Sequence, residues 1–226
     1  MNKRTIIAVS IFIIVLGLDQ WLKFWVKTNM NYGDLIPILP NGKGFIHFVE
    51  NPGMAFGLEL GGKWGKILLT LLRIIFIVAL GGALRYIIKE KAPIGFIVAI
   101  TLILVGAMGN IVDSVFYGVI FSESPYHGGI ATFMPQEGGQ GAWLEGKVVD
   151  MFYFPLIKTT YPDWFPFFKG QSFEFFRPVF NIADASISIG VMSIFLFMRK
   201  TFNKYAQIHP SKKTKEAESQ EVVSEN

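Results

Sequence analysis

The stretch PIGFIVAITLILVGAMGNIVDSVF, residues 93–116, decides the fold of this chain. Its single charged residue is Asp113, and about 20 apolar residues of helix cross a bilayer, so the stretch predicts a transmembrane helix. Pro93 and Pro178 each open an apolar block, and we expect both at the first helical position, where the missing N–H costs nothing. The sequence predicts an all-α membrane protein with four transmembrane helices. The other three blocks lie at residues 5–26, 65–88 and 178–198.

Composition supports one membrane domain. Charged residues make up 17% of the 226, where a soluble domain carries about a quarter, and the mean hydropathy is +0.42. Cysteine is absent, which excludes a disulfide framework and a cysteine nucleophile. The pI near 9.2 does not indicate nucleic acid, because the basic residues cluster beside apolar blocks. We expect a four-span domain over residues 1–204 and a disordered cytoplasmic tail over residues 205–226.

These basic clusters predict the orientation of the spans. In a four-span chain all three lie on one side, which the positive-inside tendency makes cytoplasmic. We therefore expect a multi-pass protein of the bacterial inner membrane with both termini inside and the segments 27–64 and 117–177 outside. Residues 44–49 of the first outer segment predict a strand. The clusters are Lys3 and Arg4, then Arg85, Lys89 and Lys91, then Arg199, Lys200 and Lys204.

Four aspartates are expected at one depth near the outer surface. At about 1.5 Å per residue, Asp19, Asp113 and Asp184 fall toward the outer ends of their spans, and Asp150 arrives from the second outer segment. An ionisable residue inside a span indicates a functional site. Two carboxylates at one site share a proton, so that one activates water while the other polarises a peptide carbonyl. Asp150 and Asp184 are the pair that we favour for this chemistry, whereas Asp19 and Asp113 have structural explanations as well.

Other residues near these acids support them by their helical spacing. Asn110 precedes Asp113 by three positions on one helix face, and Asp19 and Lys23 are four apart, close enough to pair. The histidines are dispersed and form no metal-binding pair, so we expect no metal. Small residues predict close packing of the third and fourth spans. They are Gly106, Ala107, Gly109, Ala183, Ala185 and Ser186.

Five segments, in order along the chain, resemble the motifs of the lipoprotein signal peptidase (signal peptidase II) family. They are Asp19–Lys23, Asn51–Gly57, Gly106–Asp113, Val149–Phe152 and Phe180–Ser186. The resemblance implies an aspartic endopeptidase without a cofactor, which removes the signal peptide of a prolipoprotein before its diacylglyceryl-modified cysteine. It implies Asp150 and Asp184 as the catalytic pair. The supporting or substrate-binding residues that it implies are Asp19, Lys23, Asn51, Gly53, Phe56, Asn110, Asp113 and Asn181. We expect a monomer in contact with membrane lipid, its outer segments forming a small β-cradle and a flap over the pair.

The chain departs from the family pattern in two places. Ser114 stands where the family usually has arginine, and we hypothesise that Arg73 in the second span supplies the missing cation. The stretches 115–147 and 153–179 are longer than expected for compact members.

Other classes of protein remain as alternatives. A proton-coupled transporter would also carry intramembrane acids, but spread through the membrane depth. A purely structural subunit leaves the Asn–Asp pairs without a task, and a serine–lysine peptidase fits poorly because Lys23 is expected to pair with Asp19.

Overall fold

The computed structural model describes residues 2–52, 62–155, 157–160, 162, 164, 170–175 and 178–206. The helices are α1 (Lys3–Asn29), α2 (Gly62–Lys89), α3 (Ile94–Val112), α4 (Gly118–Ile120), α5 (Ile182–Phe197) and α6 (Arg199–Ala206). The strands are β1 (Leu35–Leu39), β2 (Gly44–Asn51), β3 (Val148–Tyr153), β4 (Ile157–Thr160), β5 (Ser172–Phe175) and β6 (Val179–Phe180). Of the predicted tail, only Tyr205 and Ala206 lie within the described residues, at the end of α6.

Within the described residues, three helical stretches are long and apolar enough to cross a membrane: α1, most of α2, and Ile94–Ile120. The helix α5 has only 16 residues and meets α6 at a bend of 96°, so it adds a fourth candidate only if the bent pair is one span. The predicted helix start at Pro178 is wrong, because this residue precedes β6 and the helix begins at Ile182. The N-cap is Asn181, whose side chain accepts a hydrogen bond from the Asp184 N–H. A proline side chain has no acceptor for this bond. Pro93 lies one residue before α3, as its N-cap.

The turn between α2 and α3 brings two of the basic clusters together. Lys91 is left-handed, with φ of 54°, and its N–H donates to the Ile88 carbonyl at 3.2 Å. The Ala92 N–H donates to the Ile87 carbonyl at 3.0 Å, which completes a Schellman motif with lysine where glycine is usual. The Arg4 Nε in turn donates to the Ala92 carbonyl at 3.0 Å. The start of α1 therefore lies beside this turn, at the same end of the helices.

The helices α3 and α5 pack with their backbones in close approach, as the small residues predicted. A Cβ on Gly106 would collide with the carbonyl oxygen of Ala183. Gly190 extends the same contact, since a Cβ there would lie 2.6 Å from the carbonyl oxygen of Ala99. Small residues permit such contact because no large side chain separates the two backbones.

The sheet is antiparallel, with strand order β1-β2-β3-β6, and a separate pair is formed by β4 and β5. The strand predicted at residues 44–49 is confirmed as part of β2, whereas the sequence did not predict β1, β3 or β6. Residues of β2 alternate between buried and partly buried positions, as expected for a strand with one face against a core. That core contains Val26, Met30, Ile46, Phe48, Tyr117, Phe121, Val149 and Met151.

The loop between α4 and β3 is hydrogen-bonded to the end of the third span. The N–H groups of Leu144 and Gly146 donate to the carbonyls of Val115 and Ser114, at 3.2 and 2.9 Å. The Lys66 ammonium of α2 also donates to the Glu145 carbonyl. These bonds hold the returning chain against the membrane helices just before it enters β3.

Candidate active site

The two aspartates favoured for catalysis reach one site from a strand and from a helix start. Phe152 of β3 pairs with Phe180 of β6, so the next residue, Asn181, lies beside the strand that carries Asp150. Asp184 follows in the first turn of α5. The antiparallel pairing of β3 and β6 is therefore what brings Asp150 and Asp184 together.

Asn181 contacts both aspartates and is fully buried. Its Nδ2 donates to Asp150 Oδ1 at 2.7 Å, and its Oδ1 accepts from the Asp184 N–H at 2.9 Å. The Asp184 Oδ2 accepts from the Asn181 N–H at 3.3 Å, which completes a capping box. Asn110 of α3 holds the other side of Asp184, since its Nδ2 donates to Asp184 Oδ1 at 2.7 Å. Each carboxylate is thus oriented by an asparagine amide.

A buried lysine supports this pair from α1. The Lys23 Nζ lies 2.9 Å from Asp19 and 2.8 Å from Asp113, and it donates to the Asn110 Oδ1 at 2.9 Å. Both supporting acids also bind backbone near the pair: Asp19 accepts from the Ala183 N–H at 2.9 Å, and Asp113 from the Val149 N–H at 3.2 Å. One cation and two carboxylates therefore tie α1 and α3 to the start of α5 and to β3. The expected pairing of Asp19 with Lys23 is confirmed.

The structure adds Gln20 and Tyr117, which the sequence reasoning missed. The Gln20 Nε2 donates to Asp113 Oδ1 at 2.9 Å and to the Gly109 carbonyl at 3.1 Å, and its Oε1 accepts from the Tyr117 hydroxyl at 3.2 Å. Residues Asp113–Tyr117 form a π-helical turn, a feature often found at functional sites. The available signal was the place of Gln20 between Asp19 and Lys23.

Asp150 has an elevated pKa. Burial raises it from its ordinary value of 3.8 to about 7, and the negative charge of Asp184 adds to the effect. The Asn181 hydrogen bond and the Lys23 charge oppose the rise without cancelling it. The carboxyl of Asp150 therefore holds its proton through the acidic range and loses it near neutral pH, a property suited to acid–base catalysis.

Of the three predicted site residues that remain, Asn51, Gly53 and Phe56, the structure describes only Asn51. Asn51 pairs with Val148, and alternation along β3 puts Val148 and Asp150 on one face, so Asn51 lies on the Asp150 face of the sheet. Gly53 and Phe56 lie outside the described residues.

The position where the family usually has arginine is not charged here. The Ser114 hydroxyl donates to the Asn110 carbonyl at 3.0 Å, one turn back along the helix. Arg73 of α2 lies close enough to Asp184 for the two charges to interact. Replacement of the missing cation by Arg73 stays a prediction.

A second buried charge cluster lies on the opposite face of the sheet, and the sequence reasoning did not identify it. Lys27, one turn beyond Lys23, donates to Glu50 of β2 and, at 3.0 Å, to Ser124. Ser124 donates to the same Glu50 oxygen at 3.0 Å, and Lys147 lies 3.5 Å from the other. Because Glu50 pairs with Val149 in the sheet, the cluster fixes β3 immediately beside Asp150.

The chemistry available to the site is that of carboxylates. Among the described residues no group of three or more histidine, cysteine, aspartate or glutamate side chains is arranged to hold a metal ion. Asp150, whose pKa is near neutrality, lies on β3, Asp184 lies in the first turn of α5, and both are oriented by asparagines. Such a carboxylate pair is the arrangement that an aspartic peptidase uses, and this is the class of protein that the site best fits.

Comparison with known proteins identifies the family. The model of the signal peptidase (SPase) II family matches residues 11–200, and the chain belongs to this family. The lipoprotein signal peptidases of two Porphyromonas gingivalis strains are each 45% identical over 199 residues, covering 86% of this chain and 84% of theirs. The lipoprotein signal peptidase of Amoebophilus asiaticus is 35% identical over 223 residues, covering 96% of this chain and 88% of its own.

The fold also has a counterpart among solved structures. A structure described as a bacterial membrane enzyme is 26% identical, with a TM-score of 0.53, and the match covers 84% of this chain and 90% of that one. A second structure with the same description is 25% identical, with a TM-score of 0.52. These relatives are membrane enzymes and peptidases, and they give no support to the transporter alternative.

Proposed function

We propose that this protein hydrolyses the signal peptide of lipid-modified bacterial prolipoproteins, before the diacylglyceryl-modified cysteine, with Asp150 and Asp184 as the catalytic pair. The observation that carries the proposal is that buried Asn181 hydrogen-bonds to both aspartates. The names of the relatives supply the substrate class. Asn110, Lys23, Asp19 and Asp113 position the pair.

The raised pKa of Asp150 assigns it the shared proton. Asp150 then donates a hydrogen bond to the scissile carbonyl oxygen, while ionised Asp184 accepts a proton from the attacking water. The water oxygen bonds to the carbonyl carbon, and the carbonyl oxygen takes the proton of Asp150. Collapse of this tetrahedral intermediate breaks the C–N bond, and the proton held by Asp184 passes to the leaving amine. A proton from the intermediate's second hydroxyl restores Asp150, so both carboxyls return to their initial states.

We further propose the finer topology from the sequence. The bent pair α5 and α6 makes the fourth span, and both termini face the cytoplasm, which the basic clusters support. The protein then lies in the bacterial inner membrane as a monomer in contact with lipid, with the pair near the outer face. The sheet β1-β2-β3-β6 serves as the cradle, and parts of the outer segments 27–64 and 117–177 serve as the flap. Asn51, Gly53 and Phe56 are the proposed substrate contacts.

The test is cleavage of a diacylglyceryl-modified prolipoprotein by purified protein in detergent or vesicles. Asp150→Asn and Asp184→Asn should each lose several orders of magnitude in turnover, because the pair acts as a unit. Glu123→Gln is the matched control, since this carboxylate side chain is 70% exposed. The Glu123→Gln variant should cleave the substrate at the wild-type rate. Near-normal turnover by either aspartate variant would refute the assignment. Proton flux that persists in these inactive variants would revive the transporter alternative.

A further inference from the structure

Residues 124–136 form a loop segment without Asp, Glu, Lys or Arg, bounded by Glu123 and Glu137. It contains Tyr126, Ile130, Phe133 and Met134 but makes no described contact with the catalytic pair. Loops that face water usually carry charge, so a run of this length needs a physical reason.

The segment is held in a defined shape. Phe121 and Phe133 form an isolated antiparallel bridge. The Ser122 N–H donates to the Thr132 carbonyl at 3.0 Å, and the Met134 N–H donates to the Ile120 carbonyl at 2.8 Å. Residues 120–134 are therefore a hairpin that continues from the outer end of the third span. Its tip is fixed to the segment that follows α1, because the Gly129 N–H donates to Asn31 Oδ1 at 3.0 Å.

Aromatic packing gives the depth of the hairpin relative to the membrane. The Phe133 ring meets the Phe24 ring edge-on, with centroids 5.2 Å apart. Phe24 lies on the candidate span α1 between Trp21 and Trp25, which are 65% and 38% exposed. Tryptophans that are exposed near the end of a span mark the interface between lipid and water. The Phe133 side of the hairpin therefore lies at the level of the aromatic belt.

The outer surface of the hairpin is apolar at this level. Ile130 and Phe133 are each 48% exposed, and Met134 is 65% exposed. This surface is continuous with the exposed aromatic side of α1 through the contact of Phe133 with Phe24. An exposed apolar patch of this kind marks an interaction site, and the adjoining surface belongs to a span that lipid surrounds.

We propose that the hairpin 120–134 inserts into the interfacial layer of the leaflet nearest the catalytic pair, with Ile130, Phe133 and Met134 contacting lipid. The hairpin would add a second membrane contact beside α1 and hold the loop that leads into β3 at a fixed height. Apart from the exposed Glu123, the hairpin carries no Asp, Glu, Lys or Arg, and its depth gives this absence a cause, since a charged side chain there would be costly. This inference does not depend on the peptidase assignment.

The chain has no cysteine, so single cysteines can be labelled with a nitroxide in the full-length protein. Met134→Cys and Ile130→Cys are compared with Glu137→Cys, an exposed position three residues beyond Met134, and with Val78→Cys, a 70% exposed position on α2. Labelled proteins are placed in phosphatidylethanolamine–phosphatidylglycerol vesicles. Collision rates are then measured with oxygen, which concentrates in lipid, and with a water-soluble nickel chelate.

We expect positions 134 and 130 to give an oxygen-to-nickel ratio raised toward that of position 78, and position 137 to give the low ratio of water. A ratio at 134 and 130 equal to that at 137 would overturn the proposal, because the surface would then face water. Low collision rates with both reagents would also overturn it, since the patch would be covered by protein. Thermal unfolding of each labelled variant at the wild-type temperature establishes that the fold is intact.

Discussion

Asp150→Asn should stabilise the protein at neutral and alkaline pH while it abolishes cleavage. Folding raises the pKa of Asp150 from 3.8 to about 7, so the folded state binds this proton more tightly than the unfolded state. The free energy by which this proton stabilises the folded state is fully present below about pH 4 and is lost as the pH rises through about 7. About three pKa units at roughly 1.4 kcal/mol each put the loss at about 4 kcal/mol, as an upper limit. The asparagine of the variant is neutral at every pH, so the variant does not undergo this loss of stability.

The assay is thermal unfolding of purified wild type and Asp150→Asn in detergent at pH 4.5, 6 and 8. The difference between the two proteins should grow with pH in favour of the variant and level off above pH 7. Because packing changes do not titrate, the pH dependence of the difference isolates the carboxyl group. Glu123→Gln should follow wild type at every pH, since its side chain is 70% exposed. Parallel curves for wild type and Asp150→Asn would refute the reasoning.

Four further predictions concern the same site and its supports. Wild-type kcat/KM should fall as the pH rises past about 7, because the pair loses its shared proton, and a flat profile to pH 9 would contradict this. Lys27→Met or Glu50→Leu alone should cost roughly 3–5 kcal/mol of stability, because each removes the nearest partner of a buried charge, whereas the double variant Lys27→Met/Glu50→Leu should recover most of it; additive losses in thermal unfolding would count against the pair. Gly109→Ala brings a Cβ within 2.7 Å of Asp19 Oδ2 and should lower cleavage by up to about 100-fold, whereas Gly81→Ala meets nothing within 4 Å and should be neutral; equal effects would remove the steric argument. Arg73→Gln should lower cleavage without unfolding the protein, because Asp184 loses a nearby cation, and wild-type turnover would end the hypothesis that Arg73 replaces the missing arginine.

Much of the site could be predicted because its residues lie at short, regular spacings. Asp19 and Lys23 are one helical turn apart, and the bond between them follows from helix geometry. Close packing of α3 on α5 followed from Gly106 in the same way. Gln20 lies within the segment Asp19–Lys23, but its role could not be predicted, because its partners Asp113 and Tyr117 lie on another helix. The second charge cluster was not predicted for the same reason, because Lys27 and Glu50 belong to different elements of secondary structure.

The start of the last helix marks the limit of local reasoning. Pro178 gave a plausible first helical residue, but β6 pairs with β3 and delays the helix to Ile182. That delay makes Asn181 an N-cap whose amide donates to Asp150, and it puts Asp184 in the first turn, where its N–H donates to Asn181. A capping rule alone does not reveal which strand will pair with the residues before the helix.

By itself the sequence determined that the chain is a membrane protein and which acids it carries near the ends of its spans, because hydropathy and helical spacing are properties of neighbouring residues. Only the tertiary structure decided that Asn181 joins Asp150 to Asp184, and that Lys23 is shared by Asp19 and Asp113. The raised pKa of Asp150 also depends on the tertiary structure, because it arises from burial and from the charge of Asp184 on another element. Such contacts depend on strand register and helix packing, which the spacing of residues along the chain does not specify.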